Sequence, residues 1–312
     1  MSVDPQVQAV LEAMAASGAQ PFYTQPVGYA REAVLALPTM GGEPEPVASA
    51  EDRTIPGPQG AIPVRIYTPE GTGPFPVLVF FHGGGWVAGS IDTHDRVCRS
   101  LTRSAECVTL AVDYRLAPEY KFPAALEDCY AATQWAADNS AAINGDSARI
   151  AVGGDSSGGN LAAAVALMAR DRGGPRLVYQ LLLYPVTDYY EPGTASYQEY
   201  AEGYFITRND MIWCWNHYLS SAEDSGGTYA SPLQAENLSG LPPAMVITAE
   251  FDPMRDEGEM YVARLKEANI PVTHTRYQGM IHAFVNFAGI VDLAKRALAE
   301  ASAGLRAAFG NG

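Results

Sequence analysis

From about residue 50 onward, short apolar runs alternate with longer stretches whose apolar residues recur at helical spacing. Val77-Leu78-Val79-Phe80-Phe81 is apolar throughout, as a strand covered on both faces should be. Cys107 to Asp113, Arg149 to Gly153, Leu177 to Leu183 and Ala244 to Thr248 share that character, and Val272 to Arg276 reads as a last strand. Helical patterns at Ala124 to Ala137, Gly158 to Arg170 and Met254 to Ala268 fall between most of these runs, and Val291 to Phe309 is a final helix. Strands alternating with helices predict an α/β fold, a mainly parallel sheet with helices on both faces. Ahead of it, Arg53 to Pro56 and Ile62 to Tyr67 are short extended runs around a Gly/Pro turn, which predicts an antiparallel start.

Two segments break the rhythm. The N-terminal one holds two helical patterns, Pro5 to Ser17 and Val27 to Leu37, followed by the proline-rich connector Pro38 to Pro46. Between Asp188 and about Gly240 no strand is evident, but aromatics abound, from Tyr189 and Tyr190 through Phe205 to Trp213, Trp215 and Tyr218. An insertion of this length inside a compact α/β unit usually carries function. The two segments are expected to form a lid. Most of its aromatics should pack as the lid's own small core, with a few lining a pocket. The expected boundaries are N-terminal cap helices over 1–48, core over 49–187, cap insertion over 188–240 and core again over 241–312.

Composition narrows the function. The chain has 312 residues, 47% hydrophobic and 18% charged, enough to bury a large core. A formal net charge of −15 argues against binding nucleic acid or an anionic membrane through a basic patch. Cys98, Cys107, Cys129 and Cys214 form no CxxC pair and no Cys/His cluster with metal-ligand spacing, so they read as buried thiols and no metal site is expected. The N-terminus has no basic segment followed by an apolar run, and the apolar run Leu161 to Ala169 is too short to span a bilayer. The chain reads as soluble and cytoplasmic.

The candidate chemistry sits at strand ends. Gly154-Asp155-Ser156-Ser157-Gly158 lies between a predicted strand and a predicted helix. There a nucleophilic serine is lifted above the sheet on a strained turn, with small residues needed two before and two after it. Ser156 meets that demand; its neighbour Ser157 is not flanked symmetrically. Another strand runs straight into His82-Gly83-Gly84-Gly85-Trp86. Consecutive glycines let backbone N–H groups approach the oxyanion of a tetrahedral intermediate, and the Ser157 N–H is the expected partner donor. The alternative, a phosphate loop, lacks both the lysine and the G-x-G-x-x-G spacing. Of five histidines, His82 and His94 read as loop anchors, His217 belongs to the insertion and His274 to a strand. His282, just after the last strand, is where a base must sit to reach Ser156. For the acid, Asp252 follows a strand and precedes a proline that opens a helix, with Asp188 and Asp256 as alternatives. The order Ser156, Asp252, His282 suits this strand-turn-helix chemistry.

These residues together resemble the bacterial hormone-sensitive-lipase-like esterases, which have the α/β-hydrolase fold. The resemblance also rests on Tyr114-Arg115-Leu116-Ala117-Pro118-Glu119, Phe122-Pro123-Ala124-Ala125 and Asp252-Pro253-Met254-Arg255-Asp256, and spans roughly residues 50 to 310. It implies a mostly parallel eight-stranded sheet flanked by helices, with a helical cap, and a carboxylesterase acting on short- to medium-chain acyl esters without a cofactor. Gly84 and Gly85 would donate to the oxyanion, with Gly83 the weaker candidate. Family members often carry alanine where Ser157 stands, so a hydroxyl is expected beside the acyl site. Tyr114 to Glu119 reads as structural, and a homodimer through the edge of the last strand is compatible with the family. A deacetylase or amidase, a long-chain lipase, and a non-catalytic receptor on the same fold are the competing readings.

Overall fold

The computed structural model describes residues 2–310, so the outermost residues of the first and last expected segments lie outside the described residues. Eight strands form one sheet: β1 Ser49–Gly57, β2 Gly60–Thr68, β3 Phe75–Phe81, β4 Val108–Val112, β5 Gly145–Asp155, β6 Tyr179–Leu183, β7 Ala244–Phe251 and β8 Val272–Ile281. Their order across the sheet is β1-β2-β4-β3-β5-β6-β7-β8. Only β1 and β2 run antiparallel, β1 against β2 and β2 against β4; every other pairing is parallel. The helices are α1 Pro5–Ala16, α2 Val27–Ala36, α3 Asp95–Ala105, α4 Ala124–Asp138, α5 Ser157–Arg172, α6 Ala195–Glu199, α7 Arg208–Tyr218, α8 Arg255–Glu267 and α9 Asp292–Phe309.

The apolar runs became strands because both sheet faces are covered. Every residue of β3, β4, β6 and β7 is buried, whereas the antiparallel β1 is largely exposed. Alternate residues of the central strands feed two cores. Val77, Val79 and Phe81 pack with α4 and α5, while Leu78 and Phe80 pack with α3 and α9. The sheet, the parallel central strands and the two helical layers agree with the sequence expectation.

Some boundaries moved, and α3, α6 and α7 match no helical pattern read from the sequence. β4 and β6 are shorter than the apolar runs that announced them, whereas β7 reaches Phe251 and β8 reaches Ile281, so both of these end beside the candidate acid and base. α3 was not expected, since Asp95, Arg96, Arg99 and Arg103 make its stretch look polar. Its buried side carries Val97, Cys98, Leu101 and Ala105, whose spacing is helical.

The stretch from Tyr114 to Glu119 does structural work. Arg115 forms a two-pronged pair with Asp128 of α4, its Nε and a terminal nitrogen each 2.8 Å from a carboxylate oxygen, and Asp128 is 2% exposed. Glu119 pairs with Arg31 of α2, which also donates to the carbonyls of Val87 and Ala117. Arg115→Ala should leave the Asp128 carboxylate buried without its partner, at a cost of about 3 kcal/mol. We expect Tm to fall by roughly 5 °C in a thermal melt, with kcat well below that temperature unchanged. An unchanged Tm would refute the structural role.

Candidate active site

Ser156 sits at the junction of β5 and α5 with φ +56° and ψ −121°, a left-handed backbone that an L residue adopts only under constraint. The constraint is visible around it. The Ser156 N–H donates to the Leu183 carbonyl at 2.9 Å, and its own carbonyl accepts from Asn160 and Val186. A Cβ added at Gly158 would stand 1.9 Å from the Phe81 carbonyl oxygen, and one at Gly154 2.4 Å from Gly158. Only glycine permits this approach.

Three side chains from three strand ends meet here. Ser156 Oγ is 2.8 Å from His282 Nε2, and His282 Nδ1 is 2.7 Å from Asp252 Oδ2. Asp252 is fully buried, and its other oxygen accepts the Met254 N–H at 2.9 Å. The two alternative acids do not reach His282. Asp188 binds Gln234 and the Tyr189 N–H, while Asp256 pairs with Arg255 and accepts the Ser196 N–H.

The glycine loop follows β3 and runs beside this row. Gly84 and Gly85 have φ of +126° and +63°, and a Cβ on Gly84 would meet the Ala88 carbonyl oxygen at 2.1 Å. Among the described residues, no partner takes the N–H of Gly84 or Gly85. The Ser157 N–H is at the first position of α5, where a helix leaves its donors free. Gly83 differs: its N–H donates to Asp155 Oδ1 at 2.8 Å. The weaker candidate of the three is therefore already engaged.

Asp155 is the residue that sequence reasoning passed over. It occupies the variable position of the serine turn, where nothing in the pattern marks it. Its carboxylate is 1% exposed, holds the Gly83 N–H and faces His94 Nε2 at 3.0 Å. Burial would raise that carboxyl, but the His94 imidazole and the Gly83 N–H bring it below the usual carboxylate range. His94 thus anchors the loop as expected. His82 is structural as well: its ring stacks on Tyr114 at 4.3 Å, and burial, with His94 nearby, lowers its pKa to about 3. His217 lies on α7 and His274 in β8, away from Ser156, as expected. Tyr184, also unforeseen, packs edge-on against the His282 ring at 4.9 Å and limits its rotation.

The Ser157 hydroxyl corrects an expectation. It is fully buried, lies beside the Tyr114 hydroxyl and does not border the cavity at Ser156. The hydroxyl faces Tyr114, whose own hydroxyl donates to the His82 carbonyl at 2.7 Å, and not the acyl site.

Both irregular segments close over the serine. The cavity there, about 60 Å³, is bordered by Phe22, Ala30 and Val34 from the N-terminal segment and by Phe205, Ile206, Met211, Trp213 and Cys214 from the insertion. Other aromatics of the insertion pack inward: Tyr197, Trp215 and Tyr218 are fully buried, and Tyr218 stacks on Trp86 of the glycine loop at 4.2 Å.

A family model described as the alpha/beta hydrolase fold matches residues 78–286. The chain belongs to the α/β-hydrolase fold family. Within it, this hydrolase is 48% identical to the carboxylic ester hydrolase LipN of Mycobacterium tuberculosis across 75% of its own length and 64% of LipN's. It is 42% identical to the carboxylesterase NlhH of the same organism, covering 85% of this chain and 84% of that one. A solved esterase from Pyrobaculum calidifontis superposes with a TM-score of 0.94 at 43% identity, over 98% of this chain and 99% of that chain. These likenesses agree with the hormone-sensitive-lipase-like resemblance read from the motifs. Among the described residues of this hydrolase, no helix is long and apolar enough to cross a membrane.

Two neighbours of the site allow tests. Ser157→Ala should leave kcat within about twofold and Tm little changed, because the deleted hydroxyl faces Tyr114, which keeps its bond to the His82 carbonyl; a tenfold loss in an ester assay would contradict this. Glu257, fully buried beside the Thr187 N–H it binds at 2.9 Å, has its carboxyl pushed well above the usual range by burial. A raised folded-state pKa gives stability that is complete below the unfolded value, near about 4.3, and lost as pH rises toward the folded value. Glu257→Gln removes that loss. Melts from pH 4 to 8 should show the variant gaining on the parent as pH rises; a constant difference would contradict the buried neutral acid.

Proposed function

We propose that this chain is a carboxylesterase that hydrolyses short- to medium-chain acyl esters through Ser156, His282 and Asp252. The observation carrying this reading is the unbroken hydrogen-bonded row from Ser156 Oγ through both His282 nitrogens to buried Asp252, with Gly84 and Gly85 presenting unpaired N–H groups alongside. The names of LipN, NlhH and the Pyrobaculum esterase support the same class.

His282 Nε2 takes the Ser156 proton as the oxygen attacks the ester carbonyl. Asp252 accepts from Nδ1, fixing the tautomer that leaves Nε2 free to act as base, and stabilises the imidazolium that forms. The carbonyl oxygen becomes an oxyanion and is met by the N–H groups of Gly84, Gly85 and Ser157. His282 then returns the proton to the departing alcohol. Water repeats the sequence on the acyl-enzyme, releasing the acid and restoring Ser156. Gly83 takes no part as a donor; its bond to Asp155 sets where its two neighbours point.

The small apolar cavity supports short acyl or alcohol groups. The cap consists of residues 1–48 and 188–240 over a core of 49–187 and 241–312, since side chains of both segments border the cavity. The four free, buried cysteines suit a reducing, cytoplasmic setting.

Ser156→Ala should reduce kcat for p-nitrophenyl butyrate by a factor on the order of 10⁴ or more while leaving the melting curve unchanged, and Asp252→Asn by about 10⁴. Retention of a tenth of the activity by folded Ser156→Ala would refute the assignment. A chain-length series should show kcat/KM falling beyond medium acyl chains.

A further inference from the structure

A second, larger cavity of about 760 Å³ lies between α1, α2 and the insertion, bordered by Leu11, Met14, Tyr29 and Tyr204 among others. It does not contain Ser156. Three side chains border both this outer cavity and the small one over Ser156: Phe22, Val34 and Phe205. They are the wall between the two spaces.

Phe205 has the most unusual backbone of the three. Its φ is +68°, in the left-handed region, two residues after Gly203 at +92°. A bulky residue held there costs about 1 kcal/mol or more and persists only where its surroundings fix it. Here the ring packs edge-on against Phe287 at 5.8 Å and contacts the cores on both sides of the sheet. Phe287 belongs to the turn Phe284–Phe287, which starts two residues after His282.

That contact places Phe205 on the His282 side of the serine. In the esterase mechanism on which this inference rests, the leaving alcohol must lie against His282 Nε2 to receive its proton, and the acyl chain extends elsewhere. We propose that Phe205 is a specificity-determining residue for the alcohol portion of the ester, its ring closing the passage from the Ser156 cavity to the outer cavity. Short alcohols fit on the inner side of the ring. Longer ones require the passage, and the outer cavity is large and apolar enough to hold them once it is open.

Hexyl acetate and ethyl hexanoate are isomers that put the same six-carbon chain on opposite sides of the ester. Steady-state kcat/KM should be measured for both, and for ethyl acetate, with the parent, Phe205→Ala and Val34→Ala. Phe205→Ala should raise kcat/KM for hexyl acetate relative to ethyl acetate by on the order of tenfold, with ethyl hexanoate changing less than threefold. Val34→Ala, which widens the same passage from α2 without touching the strained turn, should shift the ratio in the same direction by a smaller factor, and it carries the test should Phe205→Ala fail to fold. A larger gain on ethyl hexanoate, or equal gains on both isomers, would overturn the assignment to the alcohol. No change in either variant would overturn the gate. A parent enzyme inert toward all three esters would instead contradict the esterase reading beneath it.

Discussion

Everything at the site depends on how closely the ends of β3 and β5 approach each other. The Gly158 backbone lies so near the carbonyls of Phe81 and His82 that any side chain there would overlap them. This contact is possible because β3 and β5 are parallel neighbours in the middle of the sheet, in register from Val77 with Ile150 to Phe81 with Gly154. Both chains therefore leave the sheet at the same level, one into the glycine loop and the other into the serine turn. The strained φ of Ser156 follows from the same crowding, and the surrounding hydrogen bonds to Leu183, Asn160 and Val186 hold it. Such strain is tolerated where the scaffold over-determines the backbone.

Asp155 couples the two loops. By taking the Gly83 N–H it leaves Gly84 and Gly85 as the loop's unpaired donors, and the His94 imidazole holds its carboxyl below the usual range in spite of burial. The loop's far end is held differently, by aromatic packing. Trp86 stacks on Tyr218 and touches Trp215, so the glycine loop and the insertion share one apolar contact. The insertion and the glycine loop thereby pack as one piece, while α2 is tied on through Arg31.

Much of this was legible in the residues. The parallel sheet followed from apolar runs alternating with helical patterns, and Ser156, Asp252 and His282 each stood just beyond a predicted strand. What stayed hidden depends on side-chain packing in three dimensions. Gly83, Gly84 and Gly85 are equivalent as letters, and only the position of the Asp155 carboxylate separates them. α3 escaped notice because its apolar stripe is made of small or isolated residues among arginines and an aspartate. The insertion's aromatics gave no period over the whole segment, although on α7 Met211, Cys214, Trp215 and Tyr218 share one buried face at helical spacing. Ser157 was assigned its backbone role, yet its hydroxyl proved to point away from the site.

Two assignments stand together: Ser156 as the nucleophile, and Gly84, Gly85 and Ser157, without Gly83, as the donors that receive the oxyanion. A crystal structure of the enzyme after reaction with a small alkyl phosphonate ester tests both halves together, because the phosphonyl oxygen stands where the oxyanion forms. The expected result is a covalent bond from Ser156 Oγ to phosphorus, with the phosphonyl oxygen within hydrogen-bond distance of those three N–H groups and the Gly83 N–H still on Asp155. Phosphorus on any other side chain, or its oxygen bound by Gly83 with Asp155 released, would contradict it.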